Sequence, residues 1–91
     1  MLVLISYDIE DDTVRTRLAK DLKDFGPRVQ YSVFEADITQ NELEKLIQVL
    51  NNVELGQTDS IRLYKICAFC FKNIEIWGHG EITKDKEYHI I

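Results

Sequence analysis

The segment Met1 to Tyr7 is a largely apolar run of strand-forming side chains that ends abruptly at Asp8. Such a run is typical of a central β-strand that is covered on both faces. Its longest purely apolar stretch, Leu2 to Ile5, is far shorter than the roughly 20 residues that a membrane span requires. The run has no basic leader and is too short for the core of a secretory signal, so we expect a cytoplasmic protein with no membrane association.

The size of the chain limits the core that it can build. The chain has 91 residues, of which 45% are hydrophobic, with four Gly and one Pro. This composition predicts a single globular domain over residues 1–91. Because a domain of this size has a shallow core, association between subunits is a useful extra source of buried surface.

Two amphipathic helices are predicted. Asp11 and Asp12 can cap the first, and Gly26-Pro27 ends it, because glycine suits a left-handed cap and proline cannot continue a helix. The second helix begins at the capping-box pattern Thr39-Gln-Asn-Glu42. The apolar positions are Val14, Leu18, Leu22 and Phe25 in the first helix and Leu43, Leu46, Ile47 and Leu50 in the second.

Strand-like segments surround these helices. Residues 28–38 alternate as one long bent strand or two short ones, and Ser60 to Ile66, Ile74 to Trp77 and the more polar Glu81 to Ile91 follow. This order predicts an α+β, ferredoxin-like sandwich with two helices on one antiparallel sheet. We expect residues 1–80 to form the core of the domain. Residues 81–91 are then an edge strand, added to or exchanged with a partner subunit.

Asp8 is the most informative candidate for a functional residue, as a ligand of a metal ion. It ends the buried strand and lies in an acidic stretch, Tyr7 to Asp12, with four carboxylates in five positions. Carboxylates repel one another unless a cation lies among them, and Mg²⁺ takes such oxygen ligands. Asp8 comes too early to cap the helix, so a turn residue is its alternative role. One aspartate alone is a poor magnesium site, whereas two copies of Asp8 across a two-fold axis make a better one.

The overall charge argues against unspecific coating of nucleic acid. Eleven Lys and Arg stand against sixteen Asp and Glu, which gives a net charge of −5. A local basic surface remains compatible with this balance, although a cationic cluster is ordinarily the solvated face of a helix. The cluster here consists of Arg15, Arg17, Lys20, Lys23 and Arg28.

The pair Cys67-Ala-Phe-Cys70 raises a redox and a zinc alternative. A redox pair requires a helix that begins at its first cysteine, whereas the following residues are strand-like. Zinc requires two more ligands, and the spacing to His79 and His89 matches no usual finger. Two ordinary, partly buried thiols are the favoured interpretation, and surface positions are favoured for both histidines.

The sequence resembles the small CRISPR-associated Cas-two proteins, partners of the Cas-one integrase. The resemblance covers nearly the whole chain and rests on Tyr7-Asp8-Ile9, Arg15, Lys20 and the motif Arg28-Val-Gln-Tyr-Ser-Val-Phe-Glu35. Further matches are Asp59-Ser-Ile-Arg-Leu-Tyr64 and the segment Ile74 to Gly78. The resemblance implies a metal-dependent endonuclease that hydrolyses RNA or DNA during spacer acquisition and antiviral defence.

The resemblance also implies where the site lies. Asp8 of each protomer is expected near the axis of a ferredoxin-like homodimer, where it is the catalytic residue and a ligand of Mg²⁺. Arg15, Arg17 and Arg28 match nucleic-acid-binding positions, and Ser32 and Phe34 shape the cleft. A non-catalytic, dimeric DNA-positioning scaffold of the integrase complex is the rival hypothesis. A dimer that binds only a partner protein is the third.

Overall fold

The structure, a computed structural model, describes residues 1–83. Residues 84–91, which include most of the predicted terminal strand, lie outside the described part of the chain. The described elements are β1 (Leu2–Asp8), α1 (Asp12–Leu22), β2 (Arg28–Gln30), β3 (Val33–Asp37), α2 (Gln40–Asn51), β4 (Ser60–Ile66) and the short α3 (Ala68–Lys72). Among residues 1–83, no helix is long and apolar enough to cross a membrane.

The four strands form one antiparallel sheet in the order β2-β3-β1-β4. This order, with one helix after β1 and another after β3, confirms the predicted ferredoxin-like fold. Strand β1 is central, as its apolar run predicts. It pairs with β3 on one side and with β4 along its whole length on the other, ending where Asp8 lies opposite Ser60.

The core lies between the sheet and the two long helices. Alternate residues of β1 (Val3, Ile5 and Tyr7) point to this side, because successive side chains of a strand face opposite ways. Both helices direct their buried leucines into the same cluster, so they cover one face of the sheet as predicted. These leucines are Leu18 and Leu22 of α1 and Leu43 and Leu46 of α2.

Both predicted helix starts are confirmed at the level of hydrogen bonds. Asp11 caps α1, since its Oδ1 accepts the N–H of Val14 at 3.0 Å. At α2 the capping box is complete. The N–H of Glu42 donates to the Thr39 hydroxyl at 3.2 Å, and Glu42 Oε1 accepts the N–H of Thr39 at 3.0 Å.

The expected role of Gly26 is wrong, and helix α1 ends earlier than predicted, at Leu22 with Lys23 as its C-cap. Within residues 1–83, only Gly78 and Gly80 have a positive φ, so Gly26 is not a left-handed cap. A Cβ atom at Gly26 would lie 1.9 Å from the carbonyl oxygen of Glu35. The glycine is therefore required because the backbone passes directly against β3. The next segment forms two strands, with an irregular register between Arg28 and Gln30.

The predicted strand from Ile74 to Trp77 is also wrong. These residues have no regular secondary structure, and α3 lies just before them. The residue types Ile-Glu-Ile-Trp are typical of a strand. A strand also requires a neighbour that supplies a hydrogen-bonded ladder, and no strand of the described sheet lies beside this segment. Residues 81–83 are likewise outside the sheet, and the Thr83 hydroxyl donates to Glu35 Oε1 at 2.8 Å.

Candidate metal and nucleic-acid site

Asp8 lies at the exposed end of the central strand. As the last residue of β1, it faces the side of the sheet that the helices leave open, because Tyr7 before it points into the core. Its backbone is fixed by pairing with Ser60, and the Tyr7 N–H is fixed by the Ser32 carbonyl oxygen at 3.1 Å. Within residues 1–83 the Asp8 side chain makes no hydrogen bond or ion pair, so its carboxylate is available to a cation.

The neighbouring carboxylates are mostly engaged within the protein. Asp11 caps α1, Asp12 forms an ion pair with Arg15, and Asp59 accepts two backbone N–H groups. Because these side chains already have partners, the acidic stretch does not act as one undivided cluster. Asp8 and the exposed Glu10 are the members of this stretch that keep their side chains free within the described residues.

A single chain supplies one carboxylate that fits magnesium at this place. Among residues 1–83, no three His, Cys, Asp or Glu side chains lie close enough together to enclose a metal ion. Mg²⁺ does not need such an enclosure, since it commonly binds one or two carboxylates and keeps several waters. The exposed carboxylate of Asp8 therefore fits as one ligand of Mg²⁺.

A basic pocket lies on the helix side of the sheet, next to the segment that carries Asp8. Its volume is about 210 Å³. Arg15 and Lys20 come from α1, Lys23 is the C-cap residue of that helix, and Arg28 begins β2, so four cations meet in one concavity. Phosphate oxygens are natural ligands of such a surface. The remaining lining residues are Tyr7, Thr16, Ala19 and Tyr31.

Arg15 has a structural role in addition to lining this pocket. Its Nη1 atom donates to the carbonyl oxygen of Ile9 at 2.7 Å and to that of Glu10 at 3.2 Å. A second guanidinium nitrogen pairs with Asp12. The guanidinium therefore joins the start of α1 to the segment just after Asp8.

The structure separates Arg17 from the other two arginines. Residues 15 and 17 point about 200° apart around a helix. Arg17 lines a different groove of about 330 Å³ between the helices, together with Asp21 and Glu54. Lys20 and Lys23 line the basic pocket instead, although the sequence analysis did not assign them to nucleic-acid binding. Their helical spacing from Thr16 is the sequence signal that could have placed them there.

The two predicted cleft residues differ in their surroundings. Phe34 is 1% exposed and belongs to the core. Its ring stacks with that of Tyr7 at 6.3 Å between centroids, and the Arg28 guanidinium lies 5.6 Å from its centre. Phe34 thus supports the floor of the basic pocket through Tyr7 and Arg28. Ser32 acts through its backbone carbonyl on Tyr7.

Burial affects the chemistry of the tyrosine in this pocket. The pKa of Tyr7 is raised above its ordinary value, chiefly because burial disfavours the phenolate. The nearby Arg28 and Arg15 oppose this effect without reversing it. Tyr7 therefore remains a neutral phenol, which can donate a hydrogen bond to a phosphate oxygen but cannot serve as a base near neutral pH.

Comparison with known proteins assigns the chain to a family. Residues 1–74 match the family model of the CRISPR associated protein Cas2. The chain belongs to the Cas2 family. A relative from Chloroflexus aurantiacus, named a CRISPR-associated endoribonuclease Cas2, is 40% identical over 91 residues and is matched over 98% of its length.

Solved structures extend this likeness to the fold. Cas2 from Streptococcus pyogenes superposes with a TM-score of 0.71 at 32% identity, covering 86% of this chain and 100% of that chain. A chain of the partial Cas6-RT-Cas1–Cas2 complex superposes with a TM-score of 0.62 at 30% identity, covering 82% and 88% respectively. The ferredoxin-like architecture described above is thus that of solved Cas2 structures.

The cysteine pair of this Cas2 family member differs from the expectation. Both thiols are exposed, and Cys67 caps α3, so a short helix does begin at the first cysteine. The N–H of Cys70 donates to Cys67 Sγ at 3.4 Å and lowers the pKa of the Cys67 thiol. The pKa of Cys70 is raised, first by its hydrogen bond to Cys67 and then by the charge of the Cys67 thiolate.

These shifts predict that the two thiols alkylate at different rates. The thiolate is the reactive form, so we expect Cys67 to react faster than Cys70 and to reach half of its maximal rate at a lower pH. Iodoacetamide labelling between pH 6 and 10, followed by peptide mass spectrometry, measures both rates. Single Cys67→Ser and Cys70→Ser variants are the matched controls. Equal pH profiles for the two thiols would contradict the prediction.

Proposed function

We propose that this member of the Cas2 family is a magnesium-dependent endonuclease that hydrolyses phosphodiester bonds of RNA or DNA in spacer acquisition and antiviral defence. The observation that carries the proposal is the free, exposed carboxylate of Asp8 on the rigid end of the central strand. It lies next in sequence to Tyr7, which lines a pocket with four cations. The names of the endoribonuclease relatives support the same activity.

The protein is proposed to act as a cytoplasmic homodimer. One chain offers one suitable carboxylate, and a two-fold axis near Asp8 supplies the second with the same geometry. Asp8 lies on the sheet face that the helices leave open, and this face also carries Tyr64, which is 46% exposed. Pairing two such faces buries apolar surface and brings the two Asp8 residues together.

Different residues of the site are proposed to bind the metal ion and the backbone phosphates. Asp8 of each protomer would hold Mg²⁺, which when bound polarises a phosphoryl oxygen and acidifies water. Lys20, Lys23 and Arg28 would bind backbone phosphates, and the Tyr7 phenol can donate a hydrogen bond to one of them. Arg17 would make a further contact only where the nucleic acid extends over α1 to its other side.

A second candidate function is a non-catalytic DNA-positioning scaffold bound to the Cas-one integrase. The similarity to a chain of the Cas1–Cas2 complex favours it. So does the net charge of −5, since a partner that supplies basic surface compensates for the net negative charge of this subunit. Under this hypothesis Asp8 stabilises the fold or binds an ion without cleaving nucleic acid.

Cleavage assays on the purified protein separate the two candidates. The nuclease predicts products from single-stranded RNA or from duplex DNA that appear with Mg²⁺ and disappear when EDTA removes it. The assay should be repeated with the integrase present. Intact substrates under every condition, together with a stable complex of integrase and DNA, would contradict the nuclease and favour the scaffold.

A further inference from the structure

The segment that follows Asp8 is tied to a distant part of the chain by Asp59. Asp59 Oδ1 accepts the N–H of Glu10 at 3.0 Å, and Oδ2 accepts the N–H of Gly56 at 2.8 Å. Glu10 and Asp59 are 49 residues apart in sequence. The carboxylate thus connects the segment after β1 with the loop before β4.

Asp59 and Arg15 hold the same residue of this segment from its two sides. The N–H of Glu10 donates to Asp59, while the carbonyl oxygen of Glu10 accepts from the Arg15 guanidinium at 3.2 Å. Both hydrogen bonds involve a charged side chain, which makes them stronger than bonds between neutral groups. The backbone two residues after Asp8 therefore has both its donor and its acceptor fixed.

The sheet fixes Asp8 from the other direction. Asp8 pairs with Ser60, the residue that directly follows Asp59, so Asp59 stands at the start of the strand beside Asp8. The two donated hydrogen bonds stabilise the Asp59 carboxylate and lower its pKa below the ordinary value. Asp59 thus stays ionised at neutral pH and keeps both of its acceptors.

We propose that Asp59 is the positioning residue for Asp8, holding the peptide after it so that the Asp8 carboxylate keeps one direction toward the metal. This inference rests on the proposed function of Asp8 as a magnesium ligand. Both oxygens of Asp59 already accept backbone N–H groups, so we assign this carboxylate to positioning and not to metal binding. Its effect is on the geometry of Asp8, and a displacement of about 1 Å at a catalytic group can cost about 100-fold in rate.

The test compares Asp59→Ala, Asp59→Asn and the control Glu44→Ala. Glu44 is an exposed carboxylate on α2 with no partner among the described residues, so the control removes a charge without removing a tether. Three quantities are measured: the Mg²⁺ affinity by calorimetry, kcat and KM for magnesium-dependent cleavage, and the hydrogen exchange of the Glu10 amide by NMR.

We expect Asp59→Ala to lower kcat and Mg²⁺ affinity by about tenfold or more, with KM for nucleic acid changed by less than about twofold, because the basic pocket is untouched. Exchange of the Glu10 amide should accelerate. Asp59→Asn keeps an oxygen acceptor for Glu10 and should recover most of the loss. Glu44→Ala should match the wild type in all three quantities.

A folded Asp59→Ala protein with unchanged kcat, Mg²⁺ affinity and Glu10 exchange would overturn the inference. If Asp59→Ala does not fold, the Asp59→Asn variant tests the inference alone. Asparagine keeps the Oδ1 acceptor, so an Asp59→Asn protein as inactive as Asp8→Asn would count against the tether. If the wild type binds no Mg²⁺ and cleaves nothing, the proposed function has failed. In that case unchanged Glu10 exchange in the variants would overturn the tether as well, and accelerated exchange would support it.

Discussion

Replacing Asp8 with Asn is expected to reduce magnesium-dependent cleavage by at least about 100-fold while leaving a folded protein that binds nucleic acid. Asparagine preserves the size of the side chain but removes the negative charge that Mg²⁺ requires. In a two-fold site one substitution removes two charges, so the loss of Mg²⁺ affinity should be steep. Cleavage rates at several Mg²⁺ concentrations measure the effect, and nucleic-acid affinity in EDTA is measured beside them.

Glu10→Gln is the matched control for this prediction. Glu10 belongs to the same acidic stretch, is exposed, and has a side chain without a partner among the described residues. Its substitution removes the same charge two positions away, so activity should remain within about twofold of the wild type. Equal losses in the two variants would mean that local negative charge, rather than the Asp8 carboxylate, matters.

The stability of Asp8→Asn separates a functional from a structural role. The Asp8 side chain has no partner in residues 1–83 and lies in an acidic stretch, so removing its charge should leave the free energy of unfolding unchanged or slightly higher. Urea unfolding followed by circular dichroism measures this. An unfolded variant would show that Asp8 is structural, and cleavage at the wild-type rate would leave the scaffold as the better hypothesis.

Reversing the charges of Lys20 and Lys23 is expected to weaken nucleic-acid binding by about tenfold or more at low salt. Both side chains are exposed and line the basic pocket, so their reversal should not disturb the core. Each phosphate contact that is lost should flatten the slope of log affinity against log salt by roughly 0.7 to 0.9. Fluorescence anisotropy titrations between 50 and 300 mM salt give affinity and slope together.

A double reversal of Lys45 and Lys72 is the control with the same change of net charge. These exposed lysines lie on α2 and α3, outside the basic pocket. The control should keep more of the affinity and the original salt slope. Equal weakening by the two double variants would indicate a general charge effect and contradict a local site. An Arg17→Glu variant then tests whether the nucleic acid reaches the groove between the helices.

Several elements could be predicted from the sequence because the forces behind them act over a few residues. The capping box of Thr39 and Glu42 and the cap at Asp11 join residues three positions apart. The apolar run of β1 likewise predicts a central strand that ends at Asp8. The order of such elements limits the possible packings, so the ferredoxin-like fold also followed.

Other elements depended on partners that local patterns do not reveal. The alternation at Ile74 to Trp77 is typical of a strand, yet a strand requires a neighbour with which to form hydrogen bonds, and the described sheet provides none there. Position 26 requires glycine because a side chain there would collide with the carbonyl of Glu35, nine positions later. This contact arises only when the turn after α1 packs on β3.

The sequence by itself determined the architecture, the position of Asp8 at the end of a buried strand, and the presence of a cationic cluster, since periodicity and spacing encode these features directly. Only the tertiary structure decided how the site is assembled. Packing β2 beside α1 placed Arg28 with Lys20 and Lys23 and left Arg17 on the other side. Pairing β1 with β4 brought Asp59 to the backbone of Glu10. Contacts between residues far apart in sequence form when the elements pack together, and local patterns carry no record of them.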